Sequence, residues 1–174
     1  DYNYLFDPIV YLQRFFTDAN ADQVFLIDEA HNLVDRSRSM YSAALTSQPI
    51  ADLVKQLKPE PKLQKATKTL RAAFTALSKP LRDAETTQQV QAEPAETFQV
   101  ALFKWQGKVH DWLGAQEPNA PLIEPVLTVY FQALTYLKIS DLYGDNYQTL
   151  IQYDPMQRQT TIKQLCLDSA PFLK

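Results

Sequence analysis

The strongest periodic pattern in this 174-residue chain is an amphipathic helix that follows Pro61. Its apolar residues recur at the i, i+3, i+4 and i+7 spacing of one helical face, and they are Leu63, Ala66, Leu70, Ala73, Phe74, Leu77 and Leu81. At about 100° of rotation per residue, the basic side chains fall on the other face. A long helix with such a stripe buries it against other elements, so the chain is predicted to build a helical core.

Three more helices and a β-hairpin are predicted around this one. Helices are expected over residues 50–57, from Pro94 to about residue 113, and from residue 122 to about residue 143. Trp105 and Trp112 lie on the apolar stripe of the second of these, which favours core packing over base stacking. Two β-rich runs, 147–153 and 160–167, are predicted to pair as an antiparallel hairpin. The predicted fold class is therefore mainly α, with about four long helices and a small β-hairpin.

An acidic motif lies near the N-terminus, where four apolar residues at 24–27 lead directly into Asp28-Glu29-Ala30-His31. The apolar run predicts a strand buried on both faces, as in a parallel sheet, and a short helix is expected over residues 33–40. The carboxylates would then lie at the carboxyl end of the strand, the edge where open α/β sheets bind ligands. Nucleoside triphosphatases use one such acid to hold Mg²⁺ and another to polarise the attacking water. The alternative is a chance occurrence on an exposed helix.

Charge is unevenly distributed along the chain, although the net charge is only −3. Residues 51–82 contain eight basic and two acidic residues, whereas residues 83–154 contain ten acidic residues and three lysines. The basic stretch can be a solvated helix face or a nucleic-acid contact. The candidate DNA contacts are Lys55, Lys58, Lys62, Lys65, Lys68 and Arg71.

Cysteine content and hydropathy limit the possible metal sites and the cellular location of the chain. Cys166 is the only cysteine, which excludes an intrachain disulfide and a multi-cysteine metal site within this sequence. The sequence contains neither a signal-peptide pattern nor a run of about 18 apolar residues, so a cytoplasmic protein without membrane contact is expected. The chain starts without methionine and has no Gly-rich loop, which suggests a segment of a longer protein.

The sequence V-F-L-I-D-E-A-H-N-L, residues 24–33, resembles motif II of the superfamily-two helicases, and D-E-A-H followed by Asn resembles the XPD/DinG branch. The preceding D-Y-N-Y-L-F-D-P resembles the segment just upstream of motif II in that branch. In the family, a helical insertion called the Arch domain follows motif II and returns to the first motor domain, and D-S-A-P-F-L-K resembles that return path. The resemblance implies three parts: a remnant of a P-loop motor domain at 1–42, an Arch-like domain at 43–168 and a return segment at 169–174.

The resemblance also implies site residues and partners. Asp28 would hold Mg²⁺ through water, Asp28 and Glu29 would serve Mg-ATP, Glu29 would act as the catalytic base, and His31 would couple hydrolysis to neighbouring segments. ATP and Mg²⁺ are the implied cofactors, and an iron–sulfur cluster is possible in the parent protein with ligands outside this chain. The implied partners are single-stranded or forked DNA and the remaining motor domains of the same polypeptide. Because no G-x-x-x-x-G-K-[ST] loop is present, this chain alone is predicted not to hydrolyse ATP.

Two other functions are compatible with the same residues. The chain could be a non-catalytic helical interaction module whose acidic half, residues 83–154, docks a protein partner. It could also belong to an RNA-dependent DEAH-type ATPase, since D-E-A-H occurs in RNA helicases. More than a hundred residues of predicted helices and a hairpin follow the motif here, an order that favours the XPD-like arrangement over the RNA-helicase arrangement.

Overall fold

The computed structural model describes residues 7–8, 26, 28–117 and 119–173. The described chain begins its regular structure with a 3-10 turn, Ala30–Asn32, that continues into helix α1, Leu33–Met40. Strand β1, Ala43–Thr46, and helix α2, Ser47–Gln56, follow. The predicted helix over residues 33–40 is therefore confirmed. The strand predicted at 24–27 lies outside the described residues except for Leu26, which is 97% exposed and belongs to no helix or strand.

Three long helices form the bulk of the described chain. They are α3, Pro61–Asp83, α4, Glu96–Gly114, and α5, Ile123–Ser140. Pro61 occupies the first turn of α3, where its missing N–H costs no hydrogen bond. Helix α3 packs against α4, and α4 packs against α5. Among the described residues, no helix is long and apolar enough to cross a lipid bilayer.

The strands form one antiparallel sheet in the order β1-β4-β3-β2. Its centre is the predicted hairpin, β3 at Tyr147–Asp154 and β4 at Gln159–Cys166, with Tyr147 opposite Cys166. The Asp154 carboxylate accepts hydrogen bonds from two backbone N–H groups of the connecting turn, at Met156 and Gln157. Strand β2, Gln88–Gln91, adds to β3, and β1 adds to β4.

Two of these strands carry no strand signal in the sequence. Residues 85–93 are Gln-rich and without a clear period, which predicts a helix tip or loop, yet Gln88–Gln91 pairs in register with residues 149–152 of β3. The sequence there is Gln-rich and nearly without apolar residues, so its strand conformation comes from the hydrogen bonds of its neighbour rather than from its own periodicity. β1 likewise owes its conformation to pairing with β4.

One hydrophobic core joins the helices to the sheet. Alternate residues of β3 and β4 are buried on the face that α2, α3 and α5 cover. The largest fully buried side chains include Trp105, Tyr136, Tyr147, Phe74 and Phe98. Trp105 is only 2% exposed, as its place on the apolar stripe predicts, while Trp112 is partly buried at the edge of the core. The predicted mainly α fold with a small β-hairpin is confirmed.

The segment before β1 and the segment after β4 are in contact. Ser37 Oγ of α1 lies 2.6 Å from Ser169 Oγ in a buried hydrogen bond, and the Tyr41 ring stacks on the Phe172 ring at 4.5 Å between centroids. Ser42 Oγ accepts a hydrogen bond from the backbone N–H of Cys166. The segment that enters β1 and the segment that leaves β4 are thus held side by side.

Candidate nucleotide and nucleic-acid sites

The acidic motif forms a tight turn at the start of the 3-10 helix. Glu29 has φ of 55°, a left-handed conformation that is uncommon for residues other than glycine. The turn is held by two hydrogen bonds: the Glu29 N–H donates to Asp28 Oδ1 at 2.8 Å, and the Asn32 N–H donates to the Glu29 carbonyl at 3.0 Å. Asp28 and Glu29 therefore precede the 3-10 helix and are not part of an α-helix.

Glu29 and His31 are brought into contact by this turn. His31 Nδ1 lies 3.3 Å from Glu29 Oε2, and both side chains are largely exposed, at 73% and 63%. An imidazole at this distance can hydrogen-bond to the carboxylate and so fix its orientation. The motif thus places a carboxylate and a histidine together on the surface of the described chain, and Asp28 precedes them directly.

A carboxylate at this turn is a suitable ligand for a magnesium ion, but the turn supplies few of the ligands that the ion needs. Mg²⁺ keeps several waters and takes one or two carboxylates together with phosphate oxygens. Asp28 can supply such a carboxylate oxygen, although Oδ1 also accepts the Glu29 N–H. Among the described residues, no cluster of three or more His, Cys, Asp or Glu could hold a metal by itself. The residues therefore fit a magnesium site whose other ligands are waters and a nucleotide.

The six predicted DNA contacts are exposed but do not form one row. Lys55 on α2 is paired with Asp52 at 2.8 Å, a contact that lowers the pKa of the Asp52 carboxyl together with the hydrogen bond from Gln48. Lys58 lies between α2 and α3. Lys62, Lys65, Lys68 and Arg71 are on α3. The structure therefore spreads the six over two helices and a loop.

The four basic residues of α3 also point to two sides of that helix. Ala66 and Thr69 face α4, and Lys62 and Lys65 lie on the same side because they precede Thr69 by seven and four residues. Arg71 lies on the side of α3 opposite Thr69, and Lys68, three residues after Lys65, lies between the two sides. The predicted basic face is thus spread around α3 rather than aligned in one row.

Two surface grooves flank helix α4. The α3/α4 groove, of about 430 Å³, is lined by Ala66, Thr69, Thr97, Val100, Ala101, Lys104, Trp105 and Lys108. The α4/α5 groove, of about 790 Å³, includes Phe103, Phe131 and Lys138 in its lining. Val100 and Lys104 line both grooves, so the two grooves adjoin on either side of this exposed ridge of α4.

This surface could not be predicted from the sequence as a whole. Phe103 is 66% exposed and Phe131 is 59% exposed, values that are high for aromatic side chains in a folded core-forming helix. A signal was present in the sequence for Phe103, since it falls off the apolar stripe that carries Phe98 and Trp105. No comparable signal marked Phe131, because the apolar residues of α5 surround most of that helix.

All ten acidic side chains between positions 83 and 154 are exposed. They lie near the ends of helices and strands or in the connections between them. They do not line one helical face. His110 is exposed, and its Nδ1 lies 3.3 Å from the hydroxyl of Tyr130. Neither feature forms a site with the acidic motif.

Comparison with known proteins gives two matches. Residues 1–50 match the family model DEAD_2, and this segment contains the Asp28 to His31 motif. The chain is also 49% identical over 37 residues to an ATP-dependent DNA helicase CHL1 from Debaryomyces hansenii, a match that covers 21% of this chain. The matched stretch spans 4% of the length of that relative.

Proposed function

We propose, on the premise that residues 1–50 are a segment of an XPD/DinG-like helicase, that this chain is part of an ATP-dependent DNA helicase. The observation that carries the proposal is the DEAD_2 match over residues 1–50, because it contains the two adjacent carboxylates and the histidine. The name of the matched relative, an ATP-dependent DNA helicase, supports DNA rather than RNA as the substrate.

In this proposal each residue of the motif has a distinct task. Asp28 holds the Mg²⁺ of Mg-ATP through water, which neutralises phosphate charge. Glu29 orients the attacking water and takes its proton, as a carboxylate base does within hydrogen-bond reach. His31, 3.3 Å from Glu29 Oε2, restrains that carboxylate and carries the change at the nucleotide toward α1, which begins two residues later.

Residues 43–168 are proposed to form an Arch-like insertion in the motor domain. An insertion must leave and re-enter its host at nearby points. Ser37 and Ser169 share a buried hydrogen bond, and Tyr41 stacks on Phe172, so the two connections are adjacent. This arrangement supports assignment of 1–42 and 169–174 to the motor domain and of the helices between them to a DNA-guiding unit for single-stranded or forked DNA.

The proposal is tested by Glu29→Gln in the intact polypeptide that contains this chain. Loss of a general base lowers turnover by about 10²- to 10⁴-fold, so DNA-stimulated ATP hydrolysis should fall by that factor while binding of a fluorescent ATP analogue persists. Glu60→Gln is the matched control, since it removes the same charge beside α3 and should leave turnover unchanged. Turnover of Glu29→Gln equal to wild type would refute the assignment of Glu29.

The nucleic acid that stimulates hydrolysis distinguishes the related possibilities. Stimulation by single-stranded DNA is expected, whereas stimulation by RNA alone would favour an RNA-dependent ATPase. The 174-residue chain by itself is expected to show no Glu29-dependent turnover, because the phosphate-binding loop is absent from its sequence. Absence of ATP hydrolysis by the intact polypeptide would favour the interaction-module function.

A further inference from the structure

We propose that single-stranded DNA crosses α3, α4 and α5 through the two adjoining grooves beside α4. Its bases would stack on the exposed rings of Phe103 and Phe131. Its phosphates would contact four lysines, which are Lys62, Lys65, Lys104 and Lys108. This inference deepens the DNA-guiding role proposed above and rests on it. It also replaces the six-residue basic face by a path that crosses the helices instead of following α3.

The lysines of the acidic stretch gather at the two grooves. Residues 83–154 include ten acidic residues and three lysines, and all three lysines, Lys104, Lys108 and Lys138, line the grooves. No acidic residue lines the α3/α4 groove, whereas Asp141 lines the α4/α5 groove. In an otherwise acidic part of the chain, positive charge is thus confined to this surface, which is the pattern that attracts a polyanion.

Helix α3 adds cations beside the groove and so makes it a cationic channel. Thr69 lines the groove, and Lys62 and Lys65 precede it by seven and four residues on the same side of α3, next to the lining that contains Lys104 and Lys108. All four are exposed, and within the described part of the chain none of them forms an ion pair. Cations on both walls of a groove can follow a phosphate backbone, whereas cations paired with carboxylates, such as Lys55 with Asp52, are partly neutralised.

Two exposed aromatic side chains lie next to this channel. Phe103 and Phe131 line the α4/α5 groove and expose more than half of their surface. The ring of Phe131 is held against Tyr130 in an edge-to-face contact at 6.0 Å, and the Tyr130 hydroxyl accepts a hydrogen bond from Gln106. Exposed rings that are already oriented, beside lysines, suit unpaired bases, because bases in a duplex have no free face to stack.

The electrostatic part is tested with matched charge reversals on one helix. In the intact polypeptide, K62E/K65E reverses the charge of the two lysines beside the α3/α4 groove. K68E/R71E makes the same change in charge farther around α3, away from the groove. Binding of a fluorescein-labelled thymidine oligonucleotide is measured by anisotropy across a salt series. K62E/K65E should weaken binding and reduce the slope of log K against log[salt] by about 0.7 per lost phosphate contact, while K68E/R71E should change the affinity less than about twofold.

The stacking part is tested with F103A/F131A and with the conservative F103L/F131L. Stacking on an aromatic side chain is worth about 1–3 kcal/mol per base, so each variant, which loses two rings, should bind at least about 30-fold more weakly while keeping the salt slope. Quenching of 2-aminopurine placed in the oligonucleotide should decrease in both. If the leucine variant binds and quenches like wild type, the groove is an apolar docking surface for a protein segment, and the inference is overturned.

The outcomes separate this inference from the proposed function. Glu29-dependent ATP hydrolysis with unchanged DNA affinity in K62E/K65E and F103A/F131A would leave the helicase assignment intact and refute the path. An equal loss in K68E/R71E and K62E/K65E would also refute it, since general charge would then explain binding. Loss of ATP hydrolysis and of DNA binding in the wild-type polypeptide would refute the proposed function, and the path with it.

Discussion

A buried hydrogen bond between α3 and α4 holds the two walls of the α3/α4 groove together. Trp105 Nε1 donates to Thr67 Oγ1 at 3.0 Å, and Trp105 and Thr67 are 2% and 0% exposed. Thr67→Val keeps the shape of the side chain but removes the acceptor. A buried N–H without a partner costs about 1–3 kcal/mol, so the free energy of unfolding should fall by that amount.

The expected loss can be measured because it is a sizeable part of total stability. Folded domains have free energies of unfolding of about 5–15 kcal/mol, and a change of 1 kcal/mol shifts the melting temperature of a chain of this size by about 2–4 °C. Urea unfolding followed by far-UV circular dichroism is the suitable assay, since it does not depend on the fluorescence of Trp105. Thr69→Val is the matched control, because Thr69 donates to the Lys65 carbonyl as Thr67 donates to the Leu63 carbonyl but has no tryptophan partner.

A double-mutant cycle isolates the hydrogen bond from the loss of packing. Trp105→Phe removes the N–H and part of the ring, so this variant is destabilised mainly by the cavity. In the double variant neither polar group remains, and its destabilisation should be smaller than the sum of the single effects by about 1–3 kcal/mol. Additivity within about 0.5 kcal/mol would refute the argument that this hydrogen bond couples the two helices.

Two further predictions concern pH and the junction of the two ends. Burial raises the pKa of the Cys166 thiol and of the Tyr136 hydroxyl, so the unfolded chain releases these protons at lower pH than the folded chain does. The free energy of unfolding should therefore be highest below about pH 8.5, the ordinary pKa of a thiol, and should decrease as pH rises above it; urea unfolding at pH 7, 9 and 10 checks this, and an increase would contradict it. Phe172→Ala removes the ring stacked on Tyr41 and should lower the free energy of unfolding by about 1–3 kcal/mol. Phe172→Tyr, which retains the stack, should cost less than half as much in the same assay, and equal costs would argue against stacking.

The long elements could be predicted from the sequence because each carries its own period. The stripe from Leu63 to Leu81 repeats for five turns and lies within Pro61–Asp83, and the hairpin was indicated by two β-rich runs around Asp154-Pro155. The resemblance of residues 24–33 to XPD/DinG-like helicases is confirmed by the match to the DEAD_2 model and by the helicase relative. Local signals of this kind do not depend on distant residues.

The remaining features depend on contacts that are distant in sequence. β1 pairs with β4 more than a hundred residues away, and four residues are too few to show a β period. The contact between Glu29 and His31 depends on the left-handed backbone of Glu29, which residue type does not reveal. The grooves depend on how α3, α4 and α5 pack, so the position of Lys104 in the lining of both grooves could not be read from the sequence spacing.

The junction of Ser37 with Ser169 and of Tyr41 with Phe172 has a mechanical consequence. A body attached to its host at two distant points is fixed in orientation, whereas a body attached at one place can swing about that place. If residues 1–42 and 169–174 belong to one host domain, as proposed, helices α3 to α5 would turn about this junction as one body.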